Sequence, residues 1–278
     1  MIKFFRRIRQ QLVIQNRLTK YLLYALGEIV LVVIGILIAL QINSWHQGNQ
    51  RMAQEKILLG QLRLELLEIY EDVYSDHHEL TLGERSHFEL LEAMENDMPY
   101  VDSMAFDFYF IKLEEYVYPN TAAYDKIKEL GLDIITSDTL RKEIQLLYDH
   151  VLPRISKSNS FTRNIDEYLD PYFVDHFRPN DNFEIKLTIP AKEDSLSGRS
   201  FLTRPYDVPQ EFVVQGIERE YNLGFIPNDF EALKRDQRFL MLLSETDKNR
   251  DYKLWRYQEA KEKIKVMVGL IDEILSDD

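Results

Sequence analysis

The sequence predicts an all-α protein: an N-terminal transmembrane helix followed by an elongated antiparallel helical bundle with one small irregular, β-containing insertion. Three observations predict it. First, the run from Tyr21 to Ile42 is apolar and holds a single charge, Glu28. Second, apolar residues recur at alternating three- and four-residue steps in two distant stretches, the spacing of a seam between packed helices. The first is Leu59, Leu62, Leu66, Ile69 and Val73; the second is Tyr257, Ala260, Ile264, Met267, Ile271 and Ile274. Third, Phe183–Ile189 alternates strictly, with Phe183, Ile185, Leu187 and Ile189 on one side, as a half-buried strand does.

The anchor comes first. Its 22 residues rise ~1.5 Å each and reach roughly 33 Å, enough for a hydrocarbon core of about 30 Å. Ile29–Leu40 has no polar side chain, and Tyr21, Tyr24 and Trp45 suit the two interfaces. A cleaved signal peptide fits poorly, because the apolar run exceeds the usual h-region and no A-x-A-like site follows. Residues 1–20 hold six basic residues and no acid, whereas only Arg51 and Lys56, with Glu55 between them, follow the span closely. The positive-inside rule therefore places residues 1–20 in the cytoplasm and residues 46–278 outside, with 21–45 as an uncleaved anchor.

Within residues 1–20, Phe5, Ile8 and Leu12 share a stripe, and Lys3, Arg6, Arg7 and Arg9 fill the remainder. Those four cations suit anionic headgroups, either from an amphipathic helix on the inner leaflet or from a disordered basic tail. Along the span, Ala25, Glu28, Val32, Gly35, Ala39 and Ile42 fall on one seam opposite Leu, Ile and Val. Small residues let helix backbones approach, and a carboxylate in lipid faces protein rather than acyl tails. The seam therefore predicts a homo-oligomer or docking on another membrane protein.

The basic "IKFFRRIRQ" and the following "YALGEIVLVVIGILIALQIN" resemble the N-terminus of a family of single-span Bacteroidota membrane proteins, known as a domain of unknown function. "LRLEL" at Leu62–Leu66 and "YDKIKELGLDIITSDTLRKEI" at Tyr124–Ile144 are similar to its later segments. The resemblance implies one span in the inner membrane of a Gram-negative cell and a mostly helical periplasmic domain. It brings no activity and no catalytic residues.

Beyond the anchor, a helix is predicted over 51–96, its seam weakening at Asp76-His77-His78. Pro99 bars continuation, and a shorter aromatic helix follows at about Met104–Val117. Thr121 can cap a helix that Gly131 ends, "LDII" reads as an extended link, and Ser137 or Asp138 starts a helix burying Leu140, Ile144, Leu147 and Val151. Pro153 must kink or divide that helix, because it deletes a backbone donor and crowds the carbonyl four residues back. Helical pattern resumes to about Phe177. Residues 178–228 hold five of the nine prolines and form the insertion, a short β-hairpin of "FEIKLTI" with "EFVV" at 211–214. Helix returns from Asp229, with a break at "TDKNRD", and its last stretch should pack along 51–96.

Chemistry is sparse. The absence of cysteine removes thiol nucleophiles, Fe–S clusters and cysteine zinc sites. Ten glycines form no dinucleotide, phosphate-loop or nucleophile-elbow motif. The chain carries −13 in total and +6 in its first twenty residues, leaving −19 for an acidic body that would repel nucleic acid. His77, Glu84 and His87 fall on one helical face, and Glu84-x-x-His87 matches half of a di-iron pattern. No second E-x-x-H exists, so no metal and no cofactor are expected. The sequence points to a non-enzymatic, membrane-anchored interaction subunit. The alternative is a periplasmic, sensor-like ligand-binding domain acting through a membrane partner.

Overall fold

The computed structural model describes residues 18–157, 164–180, 185–189 and 217–276. Lys3, Arg6, Arg7, Arg9, the side chain of Ala25, Phe183 and the "EFVV" stretch lie outside the described residues. The protein is mostly helical, with a few short strands. The chain divides into two compact units, Met1–Lys56 and Ile57–Asp278.

Helix α1 runs unbroken over Leu18–Glu95, so the span expected at 21–45 and the helix expected at 51–96 are one element. No proline precedes Pro99, and Gly48 and Gly60 cost only ~1 kcal/mol each within a helix, too little to end it. The part from Leu26 onward is long and apolar enough to cross a membrane, and none of its most apolar window is buried.

Within the second unit, the predicted seam is buried at Leu59, Leu62, Leu66, Ile69 and Val73. The last helix, α8 (Gln237–Ser276), buries Tyr257, Ala260, Ile264, Met267 and Ile271 in the same cluster, with Ile274 partly buried against it. The two helices pass in opposite directions: Arg63 Nε donates to Asp272 at 2.6 Å and the Tyr257 hydroxyl to Asp76 at 3.2 Å.

Between them come α2 (Met104–Phe110), α3 (Ala122–Leu130), α4 (Asp138–Leu146), a π-helical turn (Leu147–Val151), α5 (Leu152–Ile155) and α6 (Ile165–His176). Ile127, Leu140, Ile144, Leu147 and Val151 complete the first core cluster. Pro153 divides its helix as expected: the π turn absorbs the hydrogen bond that proline cannot make. Ser137 accepts from Leu140 N–H at 3.3 Å and caps α4. Gly131 ends α3 at φ +94°.

Several local expectations are corrected. Thr121 makes no cap to α3; its hydroxyl turns to Asp125 at 2.9 Å, and Glu65 of α1 takes the capping role from across the core. "LDII" contains a 3-10 turn, Leu132–Ile134, rather than an extended link. Helix α2 stops at Phe110, seven residues short of Val117. The chain there yields its carbonyls to α8: Arg250 Nη2 donates to Ile111 O at 2.7 Å and Lys253 Nζ to Glu115 O at 3.2 Å. The break expected at "TDKNRD" is absent. Thr246 and Arg250 of that polar run face the interior, so its polarity marks a buried polar face and not a loop.

Among the described residues, strand is confined to the insertion and its borders. β2 (Ile185–Ile189) pairs antiparallel with β3 (Ile217–Tyr221), from Ile185 opposite Tyr221 to Ile189 opposite Ile217. A second ladder, β1 (Phe177–Asn180) with β4 (Gly224–Pro227), was not expected. Each of its strands has four residues including a proline, which leaves no alternation to read. A short helix, α7 (Phe230–Leu233), leads into α8. Phe108, Tyr172, Phe173, Phe177, Phe230 and Phe239 form a second, aromatic core.

Candidate functional site

Helical spacing puts Asp72, Ser75, Asp76 and Glu79 on one face of α1, where the apolar seam gives way to acids. Four other elements bring groups against that face. Helix α2 contributes Tyr109, and the extended segment after it contributes Glu114, Glu115 and Tyr116. Strand β3 contributes Arg219 and Tyr221, and α8 contributes Lys253 and Tyr257.

The contacts are direct. Arg219 Nε lies 2.9 Å from Glu79 Oε1, and its Nη2 donates to Ser75 Oγ at 3.1 Å. Glu79 is 1% exposed and also meets the Tyr221 hydroxyl and the Glu115 carboxyl. Lys253, equally buried, pairs with Glu114 and lies 3.8 Å from the centre of the Tyr116 ring. Glu114 also accepts from Ile165 N–H, which starts α6.

Burial dominates the electrostatics. It pushes Glu115 up to about 8, with the Glu79 and Asp76 charges adding to the effect. It pushes Asp76 up to about 7, partly offset by the hydrogen bond from Tyr257. Asp72 is raised by burial and by Glu68. Burial draws the Lys253 ammonium down to about 7, although the Asp76 charge favours it and Glu114 lies against it. The Tyr221 and Tyr257 hydroxyls are pushed well above the usual phenol range. Burial and like charge thus disfavour the ionised form of Asp76 and Glu115 within one cluster, and the titrations of such close carboxyls are linked.

A second buried cation lies one helical turn away on α8. Arg250 is fully buried; its Nη2 is satisfied by Ile111 O, whereas Nε and Nη1 find no hydrogen-bond partner among the described residues. Burial pushes its guanidinium down to about 10. The group lies over Gly83, where a Cβ would sit 2.7 Å from Arg250 Nε and 2.8 Å from Phe110 O. Glycine is required there by space.

The sequence-predicted residues fall elsewhere. Val32 and Ile42 are exposed along α1, a Cβ at Gly35 would meet nothing within 4 Å, and Glu28 is half-buried. His77 and Glu84 are half-buried, and His87 is buried with Nε2 3.7 Å from Asp247. Among the described residues, no group of three or more His, Asp or Glu is placed to hold a metal ion.

The buried carboxyl cluster escaped sequence reasoning, yet a signal was present. Continuing the α1 seam three residues beyond Val73 gives Asp76. Stepping back from Tyr257 by four and then three gives Lys253 and Arg250. Charges in register with an apolar seam are buried charges. Compared with known proteins, the chain matches no family model, no curated protein and no solved structure.

Proposed function

We propose that this chain is a non-enzymatic, membrane-anchored assembly subunit. In this reading it sits in the bacterial inner membrane with residues 1–20 in the cytoplasm and 46–278 in the periplasm, the latter forming an antiparallel helical bundle. It associates with a second copy or another membrane protein through Ala25, Glu28, Val32, Gly35, Ala39 and Ile42. The observation that carries the reading is the apolar stretch of α1, unburied throughout its most apolar window, with a carboxylate and small residues in line on one face. Such a face suits close helix packing in lipid.

Gly35→Leu and Glu28→Leu should each weaken association several-fold in membrane two-hybrid or detergent crosslinking measurements, while Ile34→Leu should not. Equal association by all three variants would rule out the seam. Orientation has its own test: a C-terminal reporter active only in the periplasm should give signal. Signal from a cytoplasm-restricted reporter at that position would reverse the topology.

The buried cluster on α1, β3 and α8 favours a second reading, a sensor-like periplasmic domain that acts through a membrane partner. Perturbed ionisable groups concentrate at functional sites more than elsewhere.

A further inference from the structure

Helix α1 carries a second apolar line on the side away from its core. The core takes Leu59, Leu62, Leu66, Ile69 and Val73. Ile57, Gly60, Leu64 and Leu67 fall between them at steps of three, four and three. At ~3.6 residues per turn the two sets lie on opposite sides of the helix. Ile57 is 65% and Leu64 61% exposed, and Leu67 is half-buried at the edge of the core. A Cβ on Gly60 would meet nothing within 4 Å among the described residues. Its φ is not positive either, so neither space nor backbone conformation requires glycine there. Single exposed apolar residues are ordinary. Here two large ones stand seven residues apart, with an open glycine between them that weakens the helix relative to alanine.

We propose that Ile57, Gly60, Leu64 and Leu67 form the seam of a parallel coiled coil with the same helix of a second copy of this chain. The inference deepens the association reading and rests on it for orientation, since copies anchored by the same end in one membrane meet in parallel. The seam itself lies wholly within the unit Ile57–Asp278.

The occupant follows from what a parallel pair brings together. Each seam residue meets its own counterpart, and all four are apolar or glycine, so no charge faces itself. Arg63 flanks the seam on one side and the exposed Glu68 on the other. In a parallel pair these flanking positions, five residues apart, come side by side. Arg63 of each copy therefore lies beside Glu68 of the other, twice by symmetry. Arg63 also pairs with Asp272 of its own chain, so this contact sets direction more than strength. Glu71, four residues beyond Leu67 and exposed, would meet its own like charge and ends the seam. A seam of about three turns is far smaller than the roughly 1,200–2,000 Å² that a stable free interface buries. Pairing here depends on the local concentration that a shared membrane provides.

Disulfide trapping on the full chain in membranes tests this. The parent has no cysteine, so one introduced thiol reports alone. Under mild oxidation Gly60→Cys should give a dimer linked through position 60 of both copies, identified by mass spectrometry of the joined peptides. Its yield should exceed that of Val174→Cys, 81% exposed on α6, by about tenfold. Adding Leu64→Lys or Glu68→Arg should each lower that yield several-fold. The first sets ammonium against ammonium in the seam, and the second opposes Arg63. Both residues are exposed, so helical circular dichroism should be retained. Should Leu64→Lys lose it, Glu68→Arg decides the outcome. A Gly60→Cys yield no higher than that of Val174→Cys overturns the proposal, and so does a yield that neither charge variant lowers. Adding Gly35→Leu separates this seam from the anchor seam. Dimers that persist with it uphold the outer seam and remove the anchor seam. Self-association of the parent in the two-hybrid measurement without trapping at position 60 does the reverse.

Discussion

Replacing Glu114 with leucine should destabilise the folded domain by about 3–5 kcal/mol, and replacing Lys253 with methionine as well should restore most of that loss. The two side chains are 6% and 1% exposed and form an ion pair. Removing Glu114 leaves the Lys253 ammonium buried without its carboxylate, held only by the Glu115 carbonyl and the Tyr116 ring. Removing both leaves two apolar chains of similar volume in an interior site, which is often neutral. Recovery will be incomplete, because Glu114 also accepts from Ile165 N–H at the start of α6.

The defect of the single variant should also depend on pH. Lys253 is lowered from 10.5 to about 7, so between those values the unfolded chain holds more protons than the folded one. Stability rises with pH across that window. Glu114→Leu should therefore be less defective at pH 9, where Lys253 can shed its proton, than at pH 6. Urea unfolding of the full chain in micelles, followed by helical circular dichroism, reads both quantities. A double variant no more stable than Glu114→Leu would contradict the account.

The second large effect is expected at Glu65. This carboxylate, 4% exposed on α1, accepts from Ala123 N–H at 2.6 Å, from Tyr124 N–H at 3.4 Å and from the Tyr148 hydroxyl at 2.6 Å. It caps α3 from 58 residues away and joins that helix to the π turn. Each buried donor left unsatisfied costs about 1–3 kcal/mol, so Glu65→Ala should lose on the order of 3 kcal/mol or more. Glu65→Gln keeps one acceptor oxygen and should lose about half as much. Equal unfolding midpoints for Glu65→Ala and parent would show that water replaces the carboxylate there.

Glu65 also shows where sequence reading stops. Thr121 stands at the position where a local cap belongs, and local rules chose it. Nothing local identifies an acceptor 58 residues earlier in the chain. The seams were legible because burial follows helical periodicity: Leu59 through Val73 and Tyr257 through Ile271 are buried as their spacing requires. The same periodicity ran through Asp76, Lys253 and Arg250, but a charge at a seam position reads as the seam's end unless its partner on another element is known. The β1–β4 ladder was illegible for a different reason. Four-residue strands containing Pro179 and Pro227 carry no alternation, and their pairing depends on the fold that brings them together.

The contact between Arg63 and Asp272 joins residues 209 positions apart, and it has a consequence in time. A ribosome adds roughly 5–20 residues per second, so Leu59, Leu62, Leu66 and Ile69 wait roughly 10–40 s before their α8 partners have been synthesised. During that interval the α1 stripe has only the α3, α4 and π-turn part of its cluster to pack against, and its α8 side stays uncovered. Chaperone demand should peak while the nascent chain is nearly complete, and truncation of the last helix should yield a client for proteolysis, not a smaller folded domain.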